Sequence, residues 1–262
     1  MKIKVLYEDK DILATDKPSG ILVHPDQRSK ERTILDFFVK KYPKLELVHR
    51  LDKETSGVML LAKNQKAHKF LKKQFVNREI KKTYIAIVSK FVKNEHGIIN
   101  KPIGRSPSDF RRRLAGRGAR GEMREAITEY KVLKRFTAPL VGFEAEAYKI
   151  SSRFTLPGVP SGTYATKKLH KPPLNKFSYL EIKPKTGRTH QIRVHMKFFN
   201  HPVVCDSLYN PNGPCPKGIS RLALHAKSIE FKNLKGKIIK VESPLPKEFS
   251  AIGGSASGGK KW

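Results

Sequence analysis

Residues 49–63 read HRLDKETSGVMLLAK. The second half, VMLLAK (58–63), is a continuous apolar run of strand length, suited to a strand buried on both faces. The first half is polar, and Thr55, Ser56 and Gly57 can shape a tight connection into that strand. Within it stands Asp52, an acid two places after Arg50 and just before Lys53. Neighbouring cations favour the charged form of a carboxylate, so Asp52 is expected to be ionised. A lone carboxylate in basic surroundings is most often an ion-pair partner. A turn leading into a buried strand is also where rigid scaffolds tend to present functional groups, which makes Asp52 a candidate for chemistry. No second carboxylate is paired with it nearby, and this disfavours a two-acid hydrolase.

Outward from this stretch the chain alternates short strands with few helices. IKVLY (3–7) and ILATD (12–16) flank the polar EDKD and read as a hairpin. KPSG (17–20) is a turn, and ILVH (21–24) follows as a short strand. Thr33 is placed to cap a helix that buries Ile34, Leu35 and Phe38. Asn64 caps a second helix running to about Arg78, with Ala67, Phe70, Leu71 and Phe75 at three- and four-residue spacing. TYIAIV (83–88), AITEYKVL (126–133), YLEIK (179–183), LALHAKSIEF (222–231) and KIIKVE (237–242) have strand composition. THQIRVHMKFFN (189–200) is helix-like, with Gly187 in the preceding turn, Thr189 as its cap and Pro202 just beyond its end. Strands outnumber helices and most joins are short. The expected class is α+β, a large, mainly antiparallel sheet with helices packed on it.

Composition narrows the function. The 262 residues carry 54 Lys plus Arg against 23 Asp plus Glu, a formal charge of +31. That excess exceeds what internal pairing can absorb, and the resulting field attracts polyanions, nucleic acid first among them. With 38% hydrophobic residues the chain can build a core, which argues against wholesale disorder. MKIKVLYEDKD has no apolar run of the kind a signal peptide needs, and no stretch approaches the ~20 apolar residues of a membrane span. Cys205 and Cys215 are too few for a disulfide framework and are expected to be reduced thiols in a cytoplasmic protein.

Two segments stand apart. In RSPSDFRRRLAGRGARGEMR (105–124), Arg105, Arg111, Arg112 and Arg113 are joined by further arginines and by glycines, with only Asp109 and Glu122 against them. This reads as a mobile basic loop, a source of phosphate contacts. GGSASGGKKW (253–262) is flexible by composition, and the tail is taken as 251–262. His190 and His195 are five apart with no Glu between them, unlike HExxH, so no metal site is expected. Neither a phosphate loop nor GxSxG occurs, so neither ATP nor a serine nucleophile is implied.

HRLDKETSGVMLLAK, KKTYIAIV, KPKTGRTHQIRVHMKFFNHPVV and RLALHAKSIEF, in that order, resemble the signature segments of the RluA-type RNA pseudouridine synthase family. YEDKDILATDKPSGILVHP resembles the start of that family's catalytic domain, and the likeness covers about residues 3–250. The resemblance implies a mixed, mostly antiparallel sheet divided by a central basic cleft. It implies isomerisation of uridine to pseudouridine within RNA, without a cofactor. The N1–C1′ bond breaks, the base turns, and C5 bonds to C1′. Asp52 matches the family's catalytic aspartate, a nucleophile at C1′ or C6. Arg193 matches the arginine paired with it. Tyr84 matches the tyrosine beneath the target base, and Arg50 the arginine that enters the stack the uridine has left. His49, Thr55 and Ser56 are read as scaffold for the Asp52 turn, and His190 and Gln191 as structural.

The chain also departs from that pattern. Residues 137–176 lengthen what is usually a short join between two strands, either as a plain hairpin or as an extra RNA-contacting element. Cys205 precedes Asp206 where the family commonly has glycine, which puts the local turn in question. No S4-type domain is expected, so target selection would rest on a single catalytic domain of 1–250 acting as a monomer. KPIGR (101–105) leans toward large-subunit rRNA, with tRNA as the alternative. A catalytically silent RNA-binding protein on the same scaffold, or a basic nuclease, are the competing readings.

Overall fold

The computed structural model describes residues 2–25, 31–140 and 174–253. Its strands are β1 (Lys4–Glu8), β2 (Ile12–Lys17), β3 (Glu46–Leu47), β4 (Ser56–Ala62), β5 (Lys81–Ser89), β6 (His96–Asn100), β7 (Ile103–Arg105), β8 (Arg113–Ala115), β9 (Arg120–Arg124), β10 (Ile127–Ala138), β11 (Asn175–Pro184), β12 (Leu224–Lys232) and β13 (Ile238–Glu242). Its α-helices are α1 (Gln65–Val76), α2 (Gln191–Phe198) and α3 (Lys247–Gly253).

Ten strands form one sheet in the order β1-β2-β4-β12-β5-β11-β10-β6, with β13 on β12 and β3 on β4. All pairings in it are antiparallel except β4 with β12, which run parallel through Ser56 and Gly57 opposite His225 and Ala226. β4 is buried along its whole length. Val58, Leu60 and Ala62 join Ala67 and Leu71 of α1, while Met59 and Leu61 join Ile34 and Phe38 on the other side. That two-sided burial explains why the strand carries no polar alternation. A third cluster gathers Ile192 and Met196 of α2 with Ile85, Ile87, Leu180 and Ile182. Gly57 has φ +112°, and a Cβ there would run into the Ala226 carbonyl, so only glycine allows the parallel strands to close.

The expected α+β class holds, and the main strands and α1 fall where the pattern puts them. Asn64 does cap α1, its Oδ1 accepting from the Ala67 amide at 2.9 Å. Other expectations are corrected. ILVH makes only an isolated bridge, Leu22 with Thr33. The helix after Thr33 is a single 3₁₀ turn over Leu35–Phe37, and the Asp36 carboxylate accepts from the Thr33 amide and hydroxyl. α2 begins at His190 in the left-handed conformation (φ 56°), not at a Thr189 cap. There the Gln191 side chain holds the turn, accepting from the Arg188 amide and Thr186 hydroxyl and donating to the Ile127 carbonyl and Thr128.

Residues 105–124 are not a loop. β8, β7 and β9 form a three-stranded antiparallel sheet, in which Gly116, Gly118 and Gly121 take positive φ. Ile103 and Ala115 anchor it on Val194 and Tyr209. Cys205 and Cys215 are joined in a disulfide, contrary to the reduced pair expected. The turns at 206–213 fold the chain back until the two Cα atoms lie 5.3 Å apart, within bridging range. Cys205 itself has φ 54°, the conformation the family's glycine would adopt freely, so the turn survives the substitution. α3 extends to Gly253, three residues into the expected tail. Most of the 137–176 insertion lies outside the described residues, but its ends belong to the β10–β11 ladder, which runs to Ala138 opposite Asn175. Among the described residues no helix is long and apolar enough to cross a membrane.

Candidate active site

Where β4, β12 and β5 meet, the sheet opens into a cleft holding a cavity of about 540 Å³. The end of α1 walls one side and the Pro184–Arg193 segment the other. Asp52, Tyr84, Arg193 and Arg50 all line it.

Asp52 sits on the loop ahead of β4, and that loop is fixed from below by the KPSG turn. Lys17 has no solvent exposure, and its ammonium donates to the carbonyls of Pro18, Ile21 and Lys53, each at 2.9 Å. The Gly20 amide also reaches the Lys53 carbonyl, and the Ser19 hydroxyl the Glu54 carbonyl. Burial pushes Lys17 down to about 7, while the nearby charge of Asp52 pushes it back up. The expectation singled out His49, Thr55 and Ser56 as the scaffold. Thr55 fills that role through its backbone, its amide donating to the Asp52 carbonyl at 3.1 Å, while the side chains go elsewhere. The Leu60 amide donates to His49 Nε2, Ser56 bonds His225, and the buried Thr55 hydroxyl has no partner among the described residues.

Arg193 links two carboxylates by hydrogen bonds, and a third, that of the partly exposed Glu54, stands 3.9 Å from its Nη2. Its Nε and Nη2 donate to the two oxygens of Asp206, both at 2.8 Å, and its Nη1 donates to Asp52 Oδ2 at 3.1 Å. The Arg193 side chain is 5% exposed, that of Asp206 0% and that of Asp52 16%. Burial opposes the guanidinium's charge, but the Asp206 bonds and charge, with those of Asp52, more than offset it and hold its pKa above the ordinary value. Asp206 is oriented in turn by the amides of Leu208 and Tyr209. The Tyr209 ring lies under the guanidinium at 5.1 Å, and its hydroxyl bonds His190 Nδ1 and accepts from the Arg113 amide. His190 Nε2 stands 3.9 Å from Asp52, and burial keeps the imidazole below its ordinary pKa. His190 is therefore part of the site's wall, beyond the structural role expected.

Tyr84 lies on β5 at the centre of the sheet, half-buried between two core clusters. Burial, and then the charge of Asp52, push its phenol well above the ordinary value. Its hydroxyl has no hydrogen-bond partner among the described residues. Arg50 is exposed at the cleft's edge, without an ion pair among them. Arg105, Arg111, Arg112 and Arg113 lie outside the cavity on the small sheet, which Tyr209 ties to the site. Arg111 and Arg112 share Asp109, at 2.9 and 3.4 Å. His195 bonds Thr128 through Nδ1 and the Lys101 carbonyl through Nε2, so neither nitrogen is free to ligate. Lys17 and Asp206 escaped the sequence reading as members of the site.

The model for the RNA pseudouridylate synthase family matches residues 11–198, and the chain belongs to that family. It is 36% identical over 216 residues to an uncharacterized RNA pseudouridine synthase of Aquifex aeolicus, covering 79% of this chain and 56% of that protein. It is 31% identical over 268 residues to the ribosomal large subunit pseudouridine synthase D of Xanthomonas campestris pv. campestris, covering 95% of this chain and 68% of the relative. The human RNA pseudouridylate synthase domain containing 1 shares the fold, with a TM-score of 0.70 at 22% identity over 94% of this chain and 84% of the human one. The chain thus spans little more than half the length of the Aquifex relative.

Two histidines, the buried His225 and the half-buried His49, give the site region a pH signature. Burial, then the charge of Lys82, lowers His49 to about 3; burial, then Arg221 and Lys227, lowers His225 to about 4. Unfolded, both return to about 6.5. The unfolded chain then binds protons that the folded one refuses, so stability is full above about 6.5 and drains away as pH falls toward 4. Thermal melting across that interval is expected to show Tm falling with pH, by an amount equivalent to about 1–2 kcal/mol per histidine at pH 5; a flat profile would contradict these assignments.

Proposed function

We propose that this chain isomerises uridine to pseudouridine in structured RNA, with Asp52 as nucleophile, Arg193 as its cation and Tyr84 beneath the base. The observation that carries this reading is the Asp52–Arg193 pair, 3.1 Å apart at the floor of an open basic cleft. A carboxylate nucleophile acts as an anion, and a guanidinium held in place beside it supplies the counter-charge when substrate excludes water.

The reaction needs no redox partner. Asp52 forms a bond at C1′ or C6, the N1–C1′ bond breaks, the uracil rotates, C5 joins C1′, and the bond to Asp52 breaks to return the free carboxylate. The C5 proton also leaves and N1 gains one. Tyr84 is a neutral phenol in the resting site, so its first role is a platform for the base. On the C6 route Asp52 is still covalently bound when C5 loses its proton, so its charge is absent, and with it one of the two causes that raise Tyr84. The phenol is then closer to serving the C5 proton. A uridine reaches this floor only after leaving its stack. That costs a few kcal/mol, offset by stacking on Tyr84, by Arg50 taking the vacated place, and by phosphate contacts.

Large-subunit rRNA is the favoured substrate, because relatives named for that activity are 31–32% identical over about 95% of this chain; tRNA is the alternative. A monomer in the cytoplasm is the corresponding setting.

RNA labelled with tritium at uridine C5 tests the reading, since C5 must lose its hydrogen. Wild type is expected to release tritium, with Asp52→Asn at least ~10³-fold slower while RNA affinity is kept. Binding without release points to a silent RNA-binding protein, and strand cleavage to a nuclease; either outcome overturns the proposal.

The small arginine sheet is assigned to phosphate contacts outside the cleft. Replacing Arg111, Arg112 and Arg113 together by Ala is expected to flatten the slope of log affinity against log salt by about 0.7 for each phosphate no longer neutralised. An unchanged slope in a filter-binding titration would remove the sheet from the RNA interface.

A further inference from the structure

Beyond Tyr84 the cleft continues toward the end of α1, and this part takes no share in the chemistry above. Lys82 lies two residues before Tyr84 on β5, so the two side chains leave the same face of the strand about 7 Å apart. Its ammonium lines the cavity, and its one hydrogen bond among the described residues is to the Thr186 carbonyl at 3.3 Å. No carboxylate pairs with it among those residues. The surrounding elements present further cations: Lys72 from α1, Arg78 just after that helix, and Lys185 and Arg188 from the turn after β11. Arg78 is taken by Glu125 at 2.6 Å and Lys185 by Glu129 at 2.9 Å; Arg188 donates its Nε to the Glu125 carbonyl at 2.9 Å and interacts with that residue's charge, while no carboxylate among the described residues pairs with Lys72. His49, the titratable group of the loop at this end, is neutral and already accepts the Leu60 amide. Among the described residues the only acid lining the cavity is Asp52, on the far side of Tyr84.

A half-buried ammonium with two of its three protons unclaimed, in an acid-free recess, lacks an anion. We propose that Lys82, with Lys72 and Arg188, forms a seat for one RNA phosphodiester next to the flipped uridine, so that the backbone is gripped inside the cleft as well as along its rim. The inference rests on reading the cleft as an RNA site. A contact to the uracil itself is the less suitable role. Burial is the only cause that acts on Lys82, bringing it to about 8, whereas the charge of Asp52 acts on both Tyr84 and Lys17. Lys82 is therefore outside the charge group around Asp52.

The seat has a pH signature that a rim lysine lacks. Free Lys82 begins to lose its proton near pH 8, and a seated phosphodiester restores it. Binding above that pH must take up a proton, so affinity falls as pH rises. An arginine in its place does not titrate.

The test is binding of the full chain to oligouridylate, in which every register offers a uridine to Tyr84 and a phosphate to Lys82. Lys82→Met is expected to bind about tenfold more weakly, with a salt slope shallower by about 0.7. Lys82→Arg is expected to keep the slope and to lose the decline of affinity between about pH 7 and 9 that wild type shows. Uracil titrates alike in both assays, so it cancels. If Lys82→Met does not fold, the comparison of Lys82→Arg with wild type decides alone. Wild-type slope in Lys82→Met, or matching pH profiles in wild type and Lys82→Arg, would overturn the proposal. Tritium release by wild type is read separately: its absence counts against the isomerase, whereas a failed slope with normal release counts against the seat only.

Discussion

The guanidinium of Arg193 is shared between two carboxylates in a nearly dry pocket, and the rest of the site is arranged around that sharing. Asp206 takes the two donors that form a planar fork, and this bidentate geometry leaves Nη1 aimed at Asp52. One cation against two acids would leave a net negative charge in low dielectric. Lys17, fully buried under the Asp52 loop, supplies the second cation. Removing Arg193 or Asp206 leaves an uncompensated buried charge, a loss of about 3–5 kcal/mol for typical pairs. Of the two acids on the guanidinium fork, Asp52 is the one with appreciable exposure, so it is the one offered to a ligand.

The fold serves this arrangement through one topological feature. A parallel pair, β4 with β12, sits among antiparallel strands at the centre of the sheet, and the loop before β4 opens at that point beside β5. Gly57 is needed because the strands approach closer than a Cβ permits. Asp52 thereby comes from a loop, Tyr84 from a strand and Arg193 from a helix, and two packed clusters that meet at Tyr84 back all three elements. A cleft built this way can be held rigid while staying open to a polymer.

Much of this was legible in the sequence because burial writes itself into composition. VMLLAK carries no polar alternation since both faces of β4 are covered, and α1 shows its apolar positions at helical spacing. Motif order pointed to Asp52, Tyr84 and Arg193. Local propensity failed where tertiary partners took over. The arginine- and glycine-rich 105–124 looked unable to order, yet Ile103 and Ala115 pin its strands onto α2 and Tyr209. Thr189 looked like a cap, but the carboxamide of Gln191 claims the turn. Asp206 and Lys17 act through partners far away in sequence, 13 and 36 residues off, which no local pattern reports. The cystine was missed for the same reason, since two cysteines say nothing of the turns that bring them together.

The central claim is that Asp206 acts on the reaction through Arg193. A double-mutant cycle on single-turnover rates tests it directly, using Asp206→Asn, Arg193→Lys and the pair. The account predicts strong coupling, above about 1 kcal/mol, with the double variant little slower than Arg193→Lys alone, because a lysine cannot form the fork that Asp206 orients. Two losses that simply add, within about 0.5 kcal/mol, would mean that Asp206 does not work through the guanidinium, and the account of the site would be wrong.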